Sequence, residues 1–228
     1  MSLDHDNRDY SLFLKQLVVF TQRKRIVEVG VAFGRTTKHL CYAAQETGGH
    51  VYGFDLWDTH GLHNQFHAFS SKEEVENKLK NAGCNNFTLT KINTKISNFK
   101  DIVKEKVGTI DFAFIDACHS YEGVKRDFVE LKPLFADDAI IAFHDTTAID
   151  GVREFILDLR TKYNDGTFDL IDLPFGGSRR EGLAILIYRK FPNNLRMDEV
   201  CGSPSTIDQI YQREIEWYNS QLKNVDLN

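Results

Sequence analysis

Several things are scarce or missing in this sequence, and each shortage removes a class of protein. No run approaches the roughly eighteen consecutive apolar residues of a membrane span, and the opening Met-Ser-Leu-Asp-His-Asp carries no basic-then-apolar leader. A cytoplasmic protein without a membrane partner is therefore expected. Cysteine is rare: the chain has 4, Cys41, Cys84, Cys118 and Cys201, with no Cys-x-x-Cys pair among them. That spacing argues against a disulfide framework or a thiolate zinc site and for reduced core residues. Positive charge is not in excess, because the formal net charge is -5, so nothing broad attracts nucleic acid. The basic runs Arg23-Lys24-Arg25 and Arg179-Arg180 read first as solvated strand or loop ends. Internal repeats and low-complexity tracts are also absent.

What is present is an ordinary globular composition, 42% hydrophobic and 27% charged over 228 residues, enough for one sizeable core. Strand and helix patterns alternate along it. A helix over 10–22 precedes a strand at 25–30, a helix at 35–46 and a strand at 50–55. A loop over 57 onward closes with a helix that Gly83 should stop. Strands follow at 87–92, 109–115 and 139–143, separated by a polar connection or helix at 94–106 and a helix at 120–135. A helix at 151–163 leads to two last strands, 167–173 and 182–188, joined by the Phe175-Gly-Gly-Ser178 turn as a hairpin at one sheet edge. The pattern predicts an α/β sheet protein. Residues 1–190 form its domain. Residues 191–228 read as a linker and a final helix over 205–223, which is not an independent domain and could serve packing or a homo-oligomer contact.

The densest signal is Arg25-Ile-Val-Glu-Val-Gly-Val-Ala-Phe-Gly-Arg-Thr-Thr37. Ile26, Val27 and Val29 suit a buried parallel strand, Gly30 and Gly34 allow a tight turn, and Thr36 or Thr37 can begin or cap the next helix. The dinucleotide fingerprint Gly-x-Gly-x-x-Gly needs a middle glycine where this chain has Ala32. The order Glu-x-Gly-x-x-x-Gly-x-Thr, here Glu28, Gly30, Gly34 and Thr36, instead resembles the first motif of the Rossmann-like, class I S-adenosylmethionine-dependent methyltransferases. That resemblance implies a seven-stranded, mostly parallel sheet with helices on both faces and an antiparallel edge strand.

In an open α/β sheet, ligands gather outside the carboxyl ends of the strands. Acids and histidines crowd those ends here: Glu28, Asp55, Asp116 with His119 three residues later, and His144-Asp145. Asp55 follows Gly30 by 25 residues, where a carboxylate can accept from both hydroxyls of a ribose; capping the next helix is its alternative role. Glu28 would lie under the ammonium of the cofactor, or brace the turn. Asn93 and Thr94 are placed for the adenine edge, and Phe33 and Leu56, beside the turn and the ribose acid, complete the candidate cofactor-binding set.

The segments Phe114–Asp127 and Phe143-His-Asp-Thr146 carry a second resemblance, to the small-molecule O-methyltransferase branch with its catechol-type, macrolide-sugar and cephalosporin-pathway enzymes. In that branch the acid ending strand four and the pair after strand five hold a divalent cation, and a histidine three residues past the strand-four acid is the general base. The resemblance thus implies Asp116, His144 and Asp145 as metal ligands and His119 as base. It departs from the pattern at His144, where the better-known metal enzymes carry an acid. An imidazole suits Mg²⁺ poorly and Mn²⁺, Fe²⁺ or Zn²⁺ better. Without a metal, His144 would be a hydrogen-bonded wall residue and Asp116 a contact for the cofactor ammonium.

His60, His63 and His67 fall in the segment after Asp55, with Trp57, Phe66 and Phe69. They read as a lid over substrate, with metal binding the sharper alternative. Taken together, the expectation is an S-adenosylmethionine-dependent O-methyltransferase for a hydroxylated small molecule of sugar or secondary-metabolite type, with or without Mg²⁺ or Mn²⁺. An NAD-dependent oxidoreductase and a non-catalytic cofactor-binding protein of the same fold are the alternatives.

Overall fold

The computed structural model describes residues 9–57, 70–95, 98–173 and 181–190, together with Glu216. By compactness the chain divides into units 1–192 and 193–228. The His60, His63 and His67 loop, the Arg179-Arg180 pair and Cys201 lie outside the described residues, as does the expected 205–223 helix apart from helical Glu216.

Seven strands make one sheet. They are β1 (Arg25–Val29), β2 (His50–Asp55), β3 (Phe87–Lys91), β4 (Ile110–Ile115), β5 (Phe135–His144), β6 (Phe168–Leu173) and β7 (Leu183–Tyr188). Their order is β3-β2-β1-β4-β5-β7-β6. The first five are parallel, and β7 runs antiparallel between β5 and β6. β6 and β7 therefore pair antiparallel at one edge, with β6 outermost, while the Phe175-Gly-Gly-Ser178 turn expected to join them lies outside the described residues.

Among the described residues, six α-helices flank the sheet on its two faces. Alternation along each strand divides the core: Ile26, Phe112, Phe114, Ile140 and Ala142 pack with α1 (Asp9–Phe20), α2 (Arg35–Thr47) and α3 (Lys72–Asn81). Val27, Val29, Ala113, Ile115, Ile141 and Phe143 pack with α4 (Phe99–Lys106), α5 (Tyr121–Leu131) and α6 (Asp150–Thr161). This two-residue period is what a sheet buried on both sides requires. Local signals agree with it. Ser71 and Glu74 close a reciprocal capping box at the start of α3, and Gly83, at φ +82, follows its end.

Three boundaries stand out against expectation. The helix predicted over 120–135 stops at Leu131, because Pro133 cannot continue it and Lys132–Leu134 tighten into a 3-10 turn. The next strand then starts at Phe135, with a register irregularity before Ile140 that absorbs the polar Asp137-Asp138 step. At α2, the cap is neither Thr36 nor Thr37 but Gly34, at φ +77 and with no side-chain cap bond; both threonines are buried within the first turn.

The order reverses beside β1, whose neighbours are β2 on one side and β4 on the other. A crevice at the carboxyl ends of β1 and β4 is where such sheets bind ligands. Every strand-end residue singled out from the sequence lies on that edge.

Candidate active site

One wall of the crevice is backbone. Gly30 has φ +95, and a Cβ there would stand 2.1 Å from the carbonyl oxygen of Asp116. Only glycine lets the end of β1 press this closely on the end of β4. The amide of Gly30 donates to Phe54 O at 2.9 Å, and the amide of Asp116 donates to Val29 O at 2.8 Å, so the turn is tied to both neighbouring strands. Gly34 is constrained too, since a Cβ would meet Val75 Cγ1 at 2.8 Å.

Asp55 braces this turn. Its Oδ2 accepts from the amide of Ala32 at 2.7 Å and its Oδ1 from the amide of Trp57 at 2.9 Å, which leaves one further lone-pair direction on each oxygen for an outside donor. The indole of Trp57 donates to Ala32 O at 3.2 Å. Phe33 is half-buried beneath the cations of Arg35 and Lys78, 5.7 and 5.9 Å from its ring centre, while Leu56 is exposed. Asn93 accepts from the amide of Lys95 at 3.0 Å. Thr94 lies against the carboxyl of Asp127, whose burial raises it to about 6 although Thr94 pulls it back.

Glu28 is the outlier on this wall. It is 1% exposed, and neither carboxyl oxygen has a hydrogen-bond partner among the described residues. Burial pushes its pKa up to about 8, against the pull of the neighbouring Thr37 hydroxyl and with help from Asp116 and Asp55. A buried, unpartnered acid beside a glycine turn is an uncompensated cost of about 1–3 kcal/mol, and a cationic ligand would relieve it.

The other wall is charged. His119 Nε2 lies 3.4 Å from Asp116 Oδ1 and 3.2 Å from Asp145 Oδ2. His144 Nδ1 lies 3.3 Å from the same Asp116 oxygen and 3.4 Å from Asp145 Oδ1. Asp116, His144 and Asp145 can each offer a ligand atom, all within 4.8 Å of one another. His144 and Asp145 are consecutive, and strand neighbours normally point to opposite faces. Asp145 escapes that rule by taking a left-handed backbone, φ +60, at a cost of about 1–3 kcal/mol. Neither nitrogen of His144 is aligned for a hydrogen bond among the described residues. Groups converging at 3.3–3.4 Å without donor–acceptor alignment are disposed like ligands around a shared centre, so the residues fit a small cation.

The titrations follow from this crowding. Burial alone would lower His144, but Asp116 and Asp145 overcome it and hold the imidazolium up to about 11. The contact with Asp116 raises His119 against its own burial. Burial would raise Asp116, yet the two histidines bring it below the ordinary carboxylate value.

Two neighbours escaped the sequence reading. Tyr10, at the start of α1, places its ring 4.4 Å from that of His144. Glu181, just before β7, brings Oε2 to 3.4 Å from His144 Nε2. Neither follows a parallel strand, since one lies on a helix and the other precedes a strand.

Residues 27–146 match the family model described as a methyltransferase domain, more than half of the chain. The chain belongs to the methyltransferase family. Methyl transfer therefore stands ahead of dinucleotide oxidoreduction. Among curated protein sequences none matches significantly, but solved structures do. The O-methyltransferase TomG from Streptomyces achromogenes, involved in tomaymycin synthesis and solved with S-adenosylmethionine, is 16% identical. It has a TM-score of 0.62, with 79% of this chain and 80% of that one covered. A Bacillus cereus O-methyltransferase solved with S-adenosylhomocysteine is 18% identical, with a TM-score of 0.61, over 82% and 84% of the chains. CalS11, a TDP-rhamnose 3'-O-methyltransferase of calicheamicin biosynthesis, is 17% identical, with a TM-score of 0.57, over 78% and 77%. These likenesses bear on the fold of this methyltransferase. No helix among its described residues is long and apolar enough to cross a membrane.

Proposed function

We propose that this methyltransferase moves the methyl group of S-adenosylmethionine to a hydroxyl of a small molecule of sugar or secondary-metabolite type, assisted by a divalent cation. The carrying observation is the meeting of Asp116, His119, His144 and Asp145 directly beside the Gly30 turn. Similarly folded proteins named above bind S-adenosylmethionine or its product, and one acts on a nucleotide sugar.

Bound S-adenosylmethionine supplies an electrophilic methyl on a sulfonium. Gly30 and Gly34 give it close access to backbone, Asp55 accepts from the ribose diol, and Glu28 meets the ammonium. Phe33, Leu56, Asn93 and Thr94 border the nucleoside. His119, on the open side of the cluster, takes the proton of the attacking hydroxyl. Alignment of that oxygen with the methyl supplies much of the acceleration. A cation held by Asp116, His144 and Asp145 would lower the pKa of the hydroxyl and fix its position. A cytoplasmic setting is part of the proposal; Cys41, Cys84 and Cys118 are free thiols.

Calorimetric titration with S-adenosylhomocysteine and with NAD tests the cofactor half. Binding of the first is expected, and binding of NAD alone would overturn the reading. Chelation followed by re-addition of Mn²⁺ or Mg²⁺ tests the other half by rate: an unchanged rate would leave the three ligands without a metal role.

A further inference from the structure

His144 is held from three directions. The Tyr10 ring lies against one side at 4.4 Å and Phe114 stands edge-on at 6.2 Å, while only 5% of the residue is exposed. Nδ1 faces Asp116 and Asp145. Nε2 faces a third carboxylate, Glu181, at 3.4 Å. A neutral imidazole has one N–H and one lone pair, and whatever accepts the N–H decides which nitrogen offers the lone pair.

The placement of Glu181 follows from topology. β7 pairs antiparallel with β5, and Leu183 stands opposite His144. A residue just before an antiparallel strand arrives at the carboxyl edge of its neighbour, where parallel strands only end. Glu181 is pinned there: its carbonyl accepts from the amide of Thr147 at 3.1 Å. Gly182, at φ +75, is packed so tightly that a Cβ would meet the hydroxyls of Thr147 and Thr146 at 2.7 and 2.8 Å.

We infer that Glu181 is a positioning residue: once a cation turns the ring out of its present unaligned 3.4 Å approach, it accepts the Nε2–H of His144, keeps the Nδ1 lone pair toward Asp116 and Asp145, and biases the cation site toward Mn²⁺, Fe²⁺ or Zn²⁺ over Mg²⁺. The inference rests on the metal reading above. The bias follows from ligand chemistry, since an oriented, more basic imidazole favours borderline cations, whereas Mg²⁺ prefers oxygen. Outer carboxylates on ligating histidines contribute about 10–100-fold in metal affinity.

The test is metal binding rather than turnover. Titrations of the purified protein with Mn²⁺ followed by electron paramagnetic resonance, and calorimetric titrations with Mg²⁺, would compare wild type with Glu181→Ala and Glu181→Gln. Glu181→Ala should weaken Mn²⁺ about 10–100-fold and Mg²⁺ less, narrowing the preference between them. Glu181→Gln keeps an acceptor oxygen and should fall between. In the Zn²⁺-loaded wild type, the ¹⁵N spectrum of His144 should show the proton on Nε2. Unchanged Mn²⁺ affinity and an unchanged Mn²⁺ to Mg²⁺ ratio in both variants, with wild type binding normally, would overturn the role of Glu181 alone. Wild type that takes up no Mn²⁺ would overturn the metal reading itself.

Discussion

The two walls of the crevice are built on opposite principles. Around the glycine turn the protein satisfies itself: both Asp55 oxygens take backbone amides, Trp57 closes on Ala32, and Gly30 lies against the carbonyl of Asp116. Beside it, two aspartates and two histidines crowd together, with the nitrogens of His144 out of hydrogen-bond alignment and Asp145 in a strained backbone. A pre-formed wall can hold a cofactor by shape, while a crowded polar wall is arranged for chemistry. Glu28 belongs to the first wall by position and to the second by its buried carboxyl without a hydrogen-bond partner among the described residues.

Substitutions can break this contrast, and the largest effect belongs to the polar wall. Asp116→Asn or Asp145→Asn should lower methyl transfer by more than about 100-fold, beyond the 10–100-fold typical of residues behind a metal ligand. Cofactor affinity, read by calorimetry, should change far less for Asp145→Asn. His119→Ala should lower kcat by on the order of 100-fold, the low end for a lost general base, with S-adenosylhomocysteine binding spared; full activity would remove it as base.

On the backbone wall the effects should appear in stability and binding. Gly30→Ala must find room for a Cβ 2.1 Å from a carbonyl oxygen, at a positive φ that alone costs about 1–3 kcal/mol. A lower denaturation midpoint together with lost cofactor binding is expected; a wild-type midpoint would show that the turn is looser than described. The smallest effect is a slope. The Glu28 carboxyl is raised from 4.5 to about 8, so between those values the unfolded chain releases a proton that the folded chain keeps. Stability contributed by this group therefore falls as pH rises through that window and levels off above it. Glu28→Gln should remove that fall. Thermal melts of both proteins across the window check the sign, and parallel curves would contradict it.

The same contrast explains what could be read from sequence. Glu28, Asp55, Asp116 and His144 were visible because β1, β2, β4 and β5 are parallel, so the chemistry collects at strand ends and the strands announce themselves as apolar runs. Glu181 was hidden because β7 is antiparallel and brings its beginning to that edge. Tyr10 was hidden because a helical pattern shows an apolar face without saying which sheet residue it meets. Pro133 could have shortened the 120–135 helix, since proline is tolerated only in a first turn. Thr36 and Thr37 do not cap because the helix already begins at Arg35, and Val75 leaves no room for a capping side chain at Gly34, a tertiary fact absent from local pattern. The left-handed turn at Asp145, which sends two consecutive residues to one cluster, has no sequence signature beyond the tolerance of aspartate for that conformation.

A methyl donor on one wall and a cation on the other can be tested together by an anomalous diffraction map. Crystals grown with S-adenosylhomocysteine and Mn²⁺ should show the nucleoside along the Gly30 turn and a manganese peak touching Asp116, His144 Nδ1 and Asp145. Cofactor density without such a peak, with His144 hydrogen-bonded to Asp116 in its place, would contradict the account.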